Sequence, residues 1–359
     1  MIKKASLLII GGGPAGLNTA LYSAKNGISD IVLIDKKYQW GTPVQCAEYV
    51  PLFIMNEFVI PQEAIACKTD GIKIHIEGQE IAIIPAPGIV LNRDIWQGLM
   101  ADEAAKLGVR TLKSTKLLNI DKNKALIKQN NEKWEIGYQL LVGADGPKSV
   151  VRKELNLEKS KLDIGLQYVL ETKQSISNME IFFSRKFDNG YGWIIPKGNL
   201  ANVGVVVPYY GKGAKKILDE FVKEIATSGK IISSQNENTS GGFIPVYDKL
   251  NKFVYDNTLL IGDAAGHVNS ITRAGIFPAI VCGRLAGSIA AKAIKKSDIT
   301  ILKEFDQKFQ NYFKNYFQLA REASLQIDTS TSENFAKGIQ NAMNTEGQLI
   351  QLMIQGTKV

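Results

Sequence analysis

Leu7-Leu8-Ile9-Ile10-Gly11-Gly12-Gly13-Pro14-Ala15-Gly16-Leu17 decides how the rest of this 359-residue chain is read. The four apolar residues form a short buried strand. They are too few for a signal-peptide core, and they run directly into glycines. An apolar-periodic helix continues through Leu17, Ala20, Leu21 and Ala24 until Gly27 stops it. Ile31 to Ile34 is a second buried strand, and it ends in Asp35. Strand, glycine turn, helix and strand follow one another within 35 residues, which is a βαβ unit. Gly11, Gly13 and Gly16 have GxGxxG spacing, and Asp35 lies nineteen positions after Gly16. In such a unit the first Gly permits a tight turn. The second lets backbone approach a pyrophosphate, and the third lets helix and strand pack closely. Pro14 fits the first helical position, whose N–H is unpaired anyway. The helix N-terminus then offers N–H groups to phosphate, and Asp35 is suited to accept hydrogen bonds from a ribose.

NAD and FAD both use this unit, and two later sites separate them. Gly143-Ala144-Asp145-Gly146 follows a buried strand and precedes Ser149 and Arg152. Leu260-Ile261-Gly262-Asp263-Ala264-Ala265-Gly266 follows another strand and leads to a small-residue helix from about Gly275 to Lys295. A carboxylate at a strand's carboxyl end, beside a helix N-terminus, suits a polyol such as ribityl. The helix N-terminus can also stabilise negative charge on a reduced flavin ring. The order of the three sites points to FAD.

Composition narrows the alternatives. Apolar residues are 45% and charged residues 22%, which excludes a disordered chain. Three Cys without CxxC spacing exclude a disulfide scaffold, give no metal site and fit a reducing, cytoplasmic compartment. His75 and His267 are the only histidines, so a Ser-His-Asp triad is not expected, although His267 alone could serve as an acid or base. The net charge of +8 comes from scattered pairs such as Lys36-Lys37 and Lys295-Lys296. That distribution argues against nucleic acid and leaves peripheral contact with an anionic membrane surface open.

With these motifs the sequence resembles the FAD-dependent aromatic hydroxylase superfamily, and within it the geranylgeranyl reductase family, over about residues 5–297. Pro43-Val44-Gln45-Cys46-Ala47-Glu48 is similar to that family's P-V-x-C-x-E segment, where the Cys lies beside the flavin. Tyr191-Gly192-Trp193-Ile194-Ile195-Pro196-Lys197, followed by Gly204, is similar to its substrate-pocket motif. The resemblance implies an α/β fold. A Rossmann-like FAD-binding domain (1–66, 94–158 and 250–297) is interleaved with an antiparallel β-sheet substrate domain (67–93 and 159–249). C-terminal helices follow over 298–359. It implies cofactor contacts from Gly11, Gly13, Ala15, Gly16, Asp35, Cys46, Ala47, Arg93, Leu117, Asp145, Asp263, Gly275 and Ile276, and catalytic roles for Cys46, Tyr191 and Trp193. The implied reaction is reduction of C=C bonds in a prenyl lipid or another hydrophobic small molecule. FAD would supply hydride, and external NAD(P)H or ferredoxin would supply the electrons.

The chain departs from the family pattern after the Gly262-Asp263 loop. A Pro-x-x-Gly-Gly-Gly-Ile run is expected, but Ser270, Arg273 and Ala274 replace the Pro and the first two glycines, leaving Gly275 and Ile276. An Arg273 aimed at the ring would favour anionic reduced flavin and raise its midpoint potential. One facing solvent or the C-terminal helices would not. Two other functions fit parts of the sequence. Gly190 to Pro196 resembles a halogenase W-x-W-x-I-P with Tyr191 in place of the first Trp, so a flavin monooxygenase or halogenase is an alternative. The aromatic segment from Leu302 to Leu352 could instead dock a partner protein.

Overall fold

Lys4–Ile10 (β1) and Ile31–Ile34 (β2) pair in parallel, with Leu7 opposite Ile31 and Ile10 opposite Ile34. Between them runs Pro14–Lys25 (α1). This is the expected βαβ unit in the computed structural model, which describes residues 2–56, 58–210, 213–232, 239–246, 252–328 and 330–356. Arg110–Leu112 (β8) extends the sheet beyond β2, and Glu132–Gly143 (β11) joins the other side of β1. Thr258–Leu260 (β18) pairs in parallel with β11, and Val254–Tyr255 (β17) forms the antiparallel edge. Thr115–Asp121 (β9) and Lys124–Gln129 (β10) make a hairpin on the extended start of β11. The central strands are buried on both faces, which is why Leu7–Ile10 and Ile31–Ile34 read as unbroken apolar runs.

This sheet belongs to the first of two compact units, Met1–Thr42, Gln97–Lys161 and Pro245–Gln318. The unit also contains most of Arg93–Lys106 (α2), all of Val150–Glu154 (α3) and Ile276–Lys296 (α5), and the first part of Glu304–Leu325 (α6). Helix α5 is long and apolar enough to cross a membrane, but 67% of that window is buried and it packs against α1. Phe305, Phe309, Phe313 and Phe317 on α6 are all buried. They stack along the helix and against Phe253 and His267. These rings are therefore core and not a docking surface. The i, i+4 spacing that makes an aromatic stripe looks the same in either case.

The second unit is Pro43–Trp96, Leu162–Ile244 and Leu319–Val359. Its main sheet contains Gly71–Ile76 (β5), Gln79–Ile84 (β6), Leu162–Glu171 (β12), Asn178–Phe183 (β13), Tyr191–Lys197 (β14), Leu200–Pro208 (β15) and Thr239–Pro245 (β16). The order is β16-β12-β15-β14-β13-β5-β6. The expected antiparallel pattern holds along most of it, but β13 and β5 pair in parallel. Ala214–Thr227 (α4) covers one face with Leu218, Phe221 and Ile225. The sequence pattern alone places a helix over Lys212 to Thr227, and its first residue, Lys212, lies outside the described residues. On the other face, Phe335 and Ile339 of Ser332–Gly356 (α7) pack on Ile74, Ile76 and Phe183. A small sheet of Tyr49–Pro51 (β3), Ile65–Thr69 (β4) and Gly88–Leu91 (β7) completes the unit.

Beyond shifts of three to five residues at the other boundaries, the division of the chain differs from the expected one at two places. Residues 43–66, expected with the cofactor-binding segments, belong to the second unit. The C-terminal helices do not form a separate segment: residues 298–318 belong to the first unit and 319–359 to the second.

Candidate functional site

In the first unit the glycine loop is built from close approaches. Gly11 has φ +105°, and a Cβ there would lie 2.2 Å from the Ala144 carbonyl oxygen. A Cβ at Gly16 would lie 1.8 Å from the carbonyl oxygen of Gly11. These two glycines are required by the protein itself. Gly13 is different: a Cβ on it would meet no protein atom within 4 Å. Gly13 is the N-cap of α1, and no side chain caps that helix. Open space above Gly13 and uncapped N–H groups at the helix start are what a pyrophosphate needs, so the residues present fit a dinucleotide. Ala15, in the first turn, is buried.

Asp35 fixes this loop from the end of β2. Its Oδ2 accepts from the Gly12 N–H (2.5 Å) and its Oδ1 from the Lys37 N–H (2.7 Å). Each carboxylate oxygen keeps a second lone pair for a ribose hydroxyl. Two further holds were not anticipated from the sequence. The Trp40 ring lies over Gly12, 2.2 Å from where its Cβ would be, and Gln97 Nε2 donates to the Gly12 carbonyl (2.9 Å). Gly12 itself, a glycine that the GxGxxG spacing does not require, was the only available sign.

Asp145 works inside the protein. Ser149 Oγ donates to its Oδ1, and the Val150 and Val151 N–H groups donate to Oδ2 at 2.7 and 3.2 Å. Burial pushes its carboxyl upward against these hydrogen bonds. Ser149 also caps α3, and Arg152 reaches the Ala264 carbonyl oxygen (3.4 Å). The motif expected to touch the cofactor through Asp145 thus links α3 to the loop after β18. That loop presents Asp263, half-buried, with Oδ1 3.3 Å from where a Gly275 Cβ would stand. Gly275 is the N-cap of α5, also without a side-chain cap, and Ile276 is its first residue. A carboxylate beside an uncapped helix N-terminus is the arrangement expected for ribityl and ring. Leu117 is buried in β9, opposite Ile127.

His267 cannot serve as an acid or base near neutrality. It is fully buried, and burial pushes it down to about 3. Its Nδ1 accepts from the Gly262 N–H (3.2 Å), while its ring stacks on Phe309 with centroids 4.4 Å apart. Arg273, at a position where Gly was expected, has φ +55° and so holds left-handed backbone. Its Nη1 lies 3.5 Å from the Ile271 carbonyl oxygen of its own turn. Left-handed backbone costs a non-Gly residue roughly 1–2 kcal/mol. Arg273→Gly is therefore expected to raise stability by about 0.5–1 kcal/mol, after the extra chain entropy of Gly is offset. Chemical denaturation checks this, and a destabilised variant would refute it.

In the second unit, Cys46 is half-buried and its Sγ accepts from the Glu48 N–H (3.2 Å). Glu48 was seen only as the end of a motif, yet it is the hub of this region. It is 1% exposed and has φ +69°, a conformation that costs a non-Gly residue of order 1–3 kcal/mol. Its Oε1 accepts from the Arg93 N–H at the start of α2 (3.1 Å). Its Oε2 pairs with Lys197 Nζ (2.5 Å) and accepts from Asn202 Nδ2 (3.2 Å). Glu48 and Lys197, which end the contiguous runs of the two motifs, thus form one ion pair between a buried carboxylate and a half-buried ammonium. Ala47 packs on the cluster built around Trp193, Ile195, Val206 and Met179. Trp193 is buried, and its ring crosses Gly204, where a Cβ would be 2.3 Å from an indole carbon. This is why Gly204 belongs to the motif. Tyr191 is half-buried and packs on both this cluster and the one under α7.

Comparison with known proteins follows the same lines. A family model described as FAD binding domain matches residues 89–281. The chain is similar to digeranylgeranylglycerophospholipid reductase 3 of Methanosphaera stadtmanae, with 34% identity across 87% of this chain and 82% of that protein. A geranylgeranyl bacteriochlorophyll reductase-like protein from Thermoplasma acidophilum has the same fold, with TM-score 0.79, 23% identity and coverage of 99% and 93%. So does p-nitrophenol 4-monooxygenase from Pseudomonas putida, with TM-score 0.77, 14% identity and full coverage of both chains (100% and 100%). Shape alone does not separate reductase from monooxygenase; the sequence relationship does.

Proposed function

The chain belongs to the geranylgeranyl reductase family of FAD-binding proteins, and on that premise we propose that it reduces the carbon–carbon double bonds of a digeranylgeranylglycerophospholipid or a related prenyl lipid. It is an FAD-dependent oxidoreductase. The 34% identity to a reductase named for that lipid, over most of both chains, carries the choice of substrate. We assign most of the cofactor contacts to the first unit and substrate binding to the second.

When bound and reduced, FAD supplies the hydride for the double bond. The N-terminus of α1 above Gly13 holds the pyrophosphate, Asp35 a ribose and Asp263 the ribityl chain. The N-terminus of α5, with Gly275 and Ile276, faces the ring. Ala15, Leu117, Ala47 and Arg93 complete the cofactor contacts. Asp145 acts by holding its loop. Tyr191 and Trp193 give the prenyl chain an apolar surface that excludes water, and Cys46 stands as the proton-bearing group beside the reacting bond. Electrons come from external NAD(P)H or ferredoxin. The lipid substrate and the net charge of +8 favour work at an anionic membrane surface.

Anaerobic incubation of chemically reduced holoprotein with digeranylgeranylglycerophospholipid tests the reading. Mass spectrometry is expected to find products with successive added hydrogens. Unchanged lipid there, together with rapid oxygen consumption and hydroxylation of an aromatic substrate in a parallel aerobic incubation, would transfer the protein to the monooxygenase class.

A further inference from the structure

Residues 46–48 are held from three directions within the second unit. Gln167 Nε2, from β12, donates to the Cys46 carbonyl oxygen (2.9 Å). Asn202 Nδ2, from β15, donates to the Ala47 carbonyl oxygen (3.2 Å) and also to Glu48 Oε2. Lys197, from β14, closes the ion pair with Glu48. Gln167, Asn202 and Glu48 are each at most 3% exposed. The strand register puts these residues on one face of the sheet. Gln167 stands opposite Gly204, Gly204 opposite Trp193, and Asn202 and Lys197 lie two or four places along the same strands. The face is otherwise apolar, built on Trp193, Ile195 and Val206. Burying this many polar groups on an apolar face is not a cheap route to stability, because a buried ion pair is often no better than an apolar replacement. Its distinctive result is geometric. Every bond in the set ends on the backbone or side chain of residues 46–48, and the Glu48 N–H so oriented meets Cys46 Sγ.

We propose that Lys197, Gln167 and Asn202 are positioning residues that act through Glu48 and the 46–48 backbone to fix the Cys46 thiol for its part in the reduction. This rests on the reductase reading only for the identity of the reaction. The placement of the thiol is a property of the chain itself. The ion pair sets the left-handed turn at Glu48, the turn aims the Glu48 N–H, and the N–H fixes the Cys46 side-chain rotamer.

The test uses FAD-loaded protein carrying Lys197→Met, Lys197→Arg or Gln167→Met. Alkylation by iodoacetamide is followed site by site by mass spectrometry. Cys67, in the same unit and donating to the Pro196 carbonyl oxygen (3.2 Å), reports general loosening. Lys197→Met is expected to speed alkylation of Cys46 at least tenfold over Cys67, and Lys197→Arg to restore the wild-type ratio within about threefold. With prenyl lipid, kcat of Lys197→Met should fall at least tenfold while KM stays within threefold. If Lys197→Met does not fold, Gln167→Met, which removes only the contact to the Cys46 carbonyl, is expected to shift the alkylation ratio in the same direction. A ratio within twofold of wild type in the folded variants overturns the proposal, as does equal acceleration at Cys46 and Cys67. The alkylation arm needs no substrate. A wild-type protein that leaves prenyl lipid untouched while the ratio shifts as expected therefore refutes the reductase reading and leaves the positioning role standing.

Discussion

Gly13→Val is expected to leave the FAD-free protein as stable as wild type and to weaken FAD binding at least a hundredfold. No protein atom lies within 4 Å of a Cβ at this position, and its backbone (φ −77°, ψ −178°) suits any residue. The branched side chain would instead fill the space above the start of α1 where a pyrophosphate must sit. At a ligand concentration of about 100 Kd, FAD stabilises the wild type by about 2.7 kcal/mol, and in the variant this increment should fall to about 0.4 kcal/mol or less. Thermal unfolding with and without FAD separates the two effects. Gly16→Val is the contrasting case. Its Cβ would strike the Gly11 carbonyl oxygen, so it should fail to fold whether or not FAD is present. A Gly13→Val protein that binds FAD normally would remove this helix start from the cofactor site.

His267 should make the protein sensitive to mild acid. Burial holds it neutral in the folded chain down to about 3, while the unfolded chain takes up a proton near 6.5. Its stabilising contribution is therefore complete above pH 6.5 and is lost as pH falls from there towards 3, by about 5 kcal/mol in all. Between pH 6.5 and 5 the loss is about 2 kcal/mol, before most carboxylates titrate. His267→Asn keeps an acceptor for the Gly262 N–H but has no such titration. It should be less stable at pH 7, because stacking on Phe309 is lost, yet show a flatter stability curve through this window. Denaturant titrations at stepped pH measure the difference. Parallel curves for the two proteins would show that the buried ring accepts its proton without cost.

The βαβ unit was legible because parallel strands buried on both faces leave unbroken apolar runs, and because steric demands select glycine at Gly11 and Gly16. The loop of Asp263 was legible for a similar reason: a carboxylate between a strand end and a helix start is a local pattern. Long-range pairing was not. Glu48 and Lys197 could each be seen as a motif's last residue, but 149 positions separate them and nothing local joins them. The internal partners of Asp145 were not legible, because a carboxylate that accepts from a helix's first N–H groups and one that waits for a ligand look alike in sequence. Ser149, four residues on, was the hint of the internal role. The hairpin of β9 and β10 on β11 was only partly visible, since its exposed face interrupts the apolar pattern. The aromatic stripe of α6 was visible as a stripe, but what covers it depends on Phe253 and His267, which lie far away in the chain.

The division of each unit into three chain segments bears on how the protein is made. Neither unit can be finished from its own first segment. The first lacks β18 and α5 until synthesis has passed residue 296, and the second lacks α7 until later still. At roughly 5–20 residues per second, a ribosome holds the apolar strands β1 and β2 without their final partners for many seconds. Both units must therefore mature together after most of the chain has emerged. A premature stop or a cut between the segments strands two half-built cores at once, so expressing either unit alone calls for rejoining its pieces in a new order.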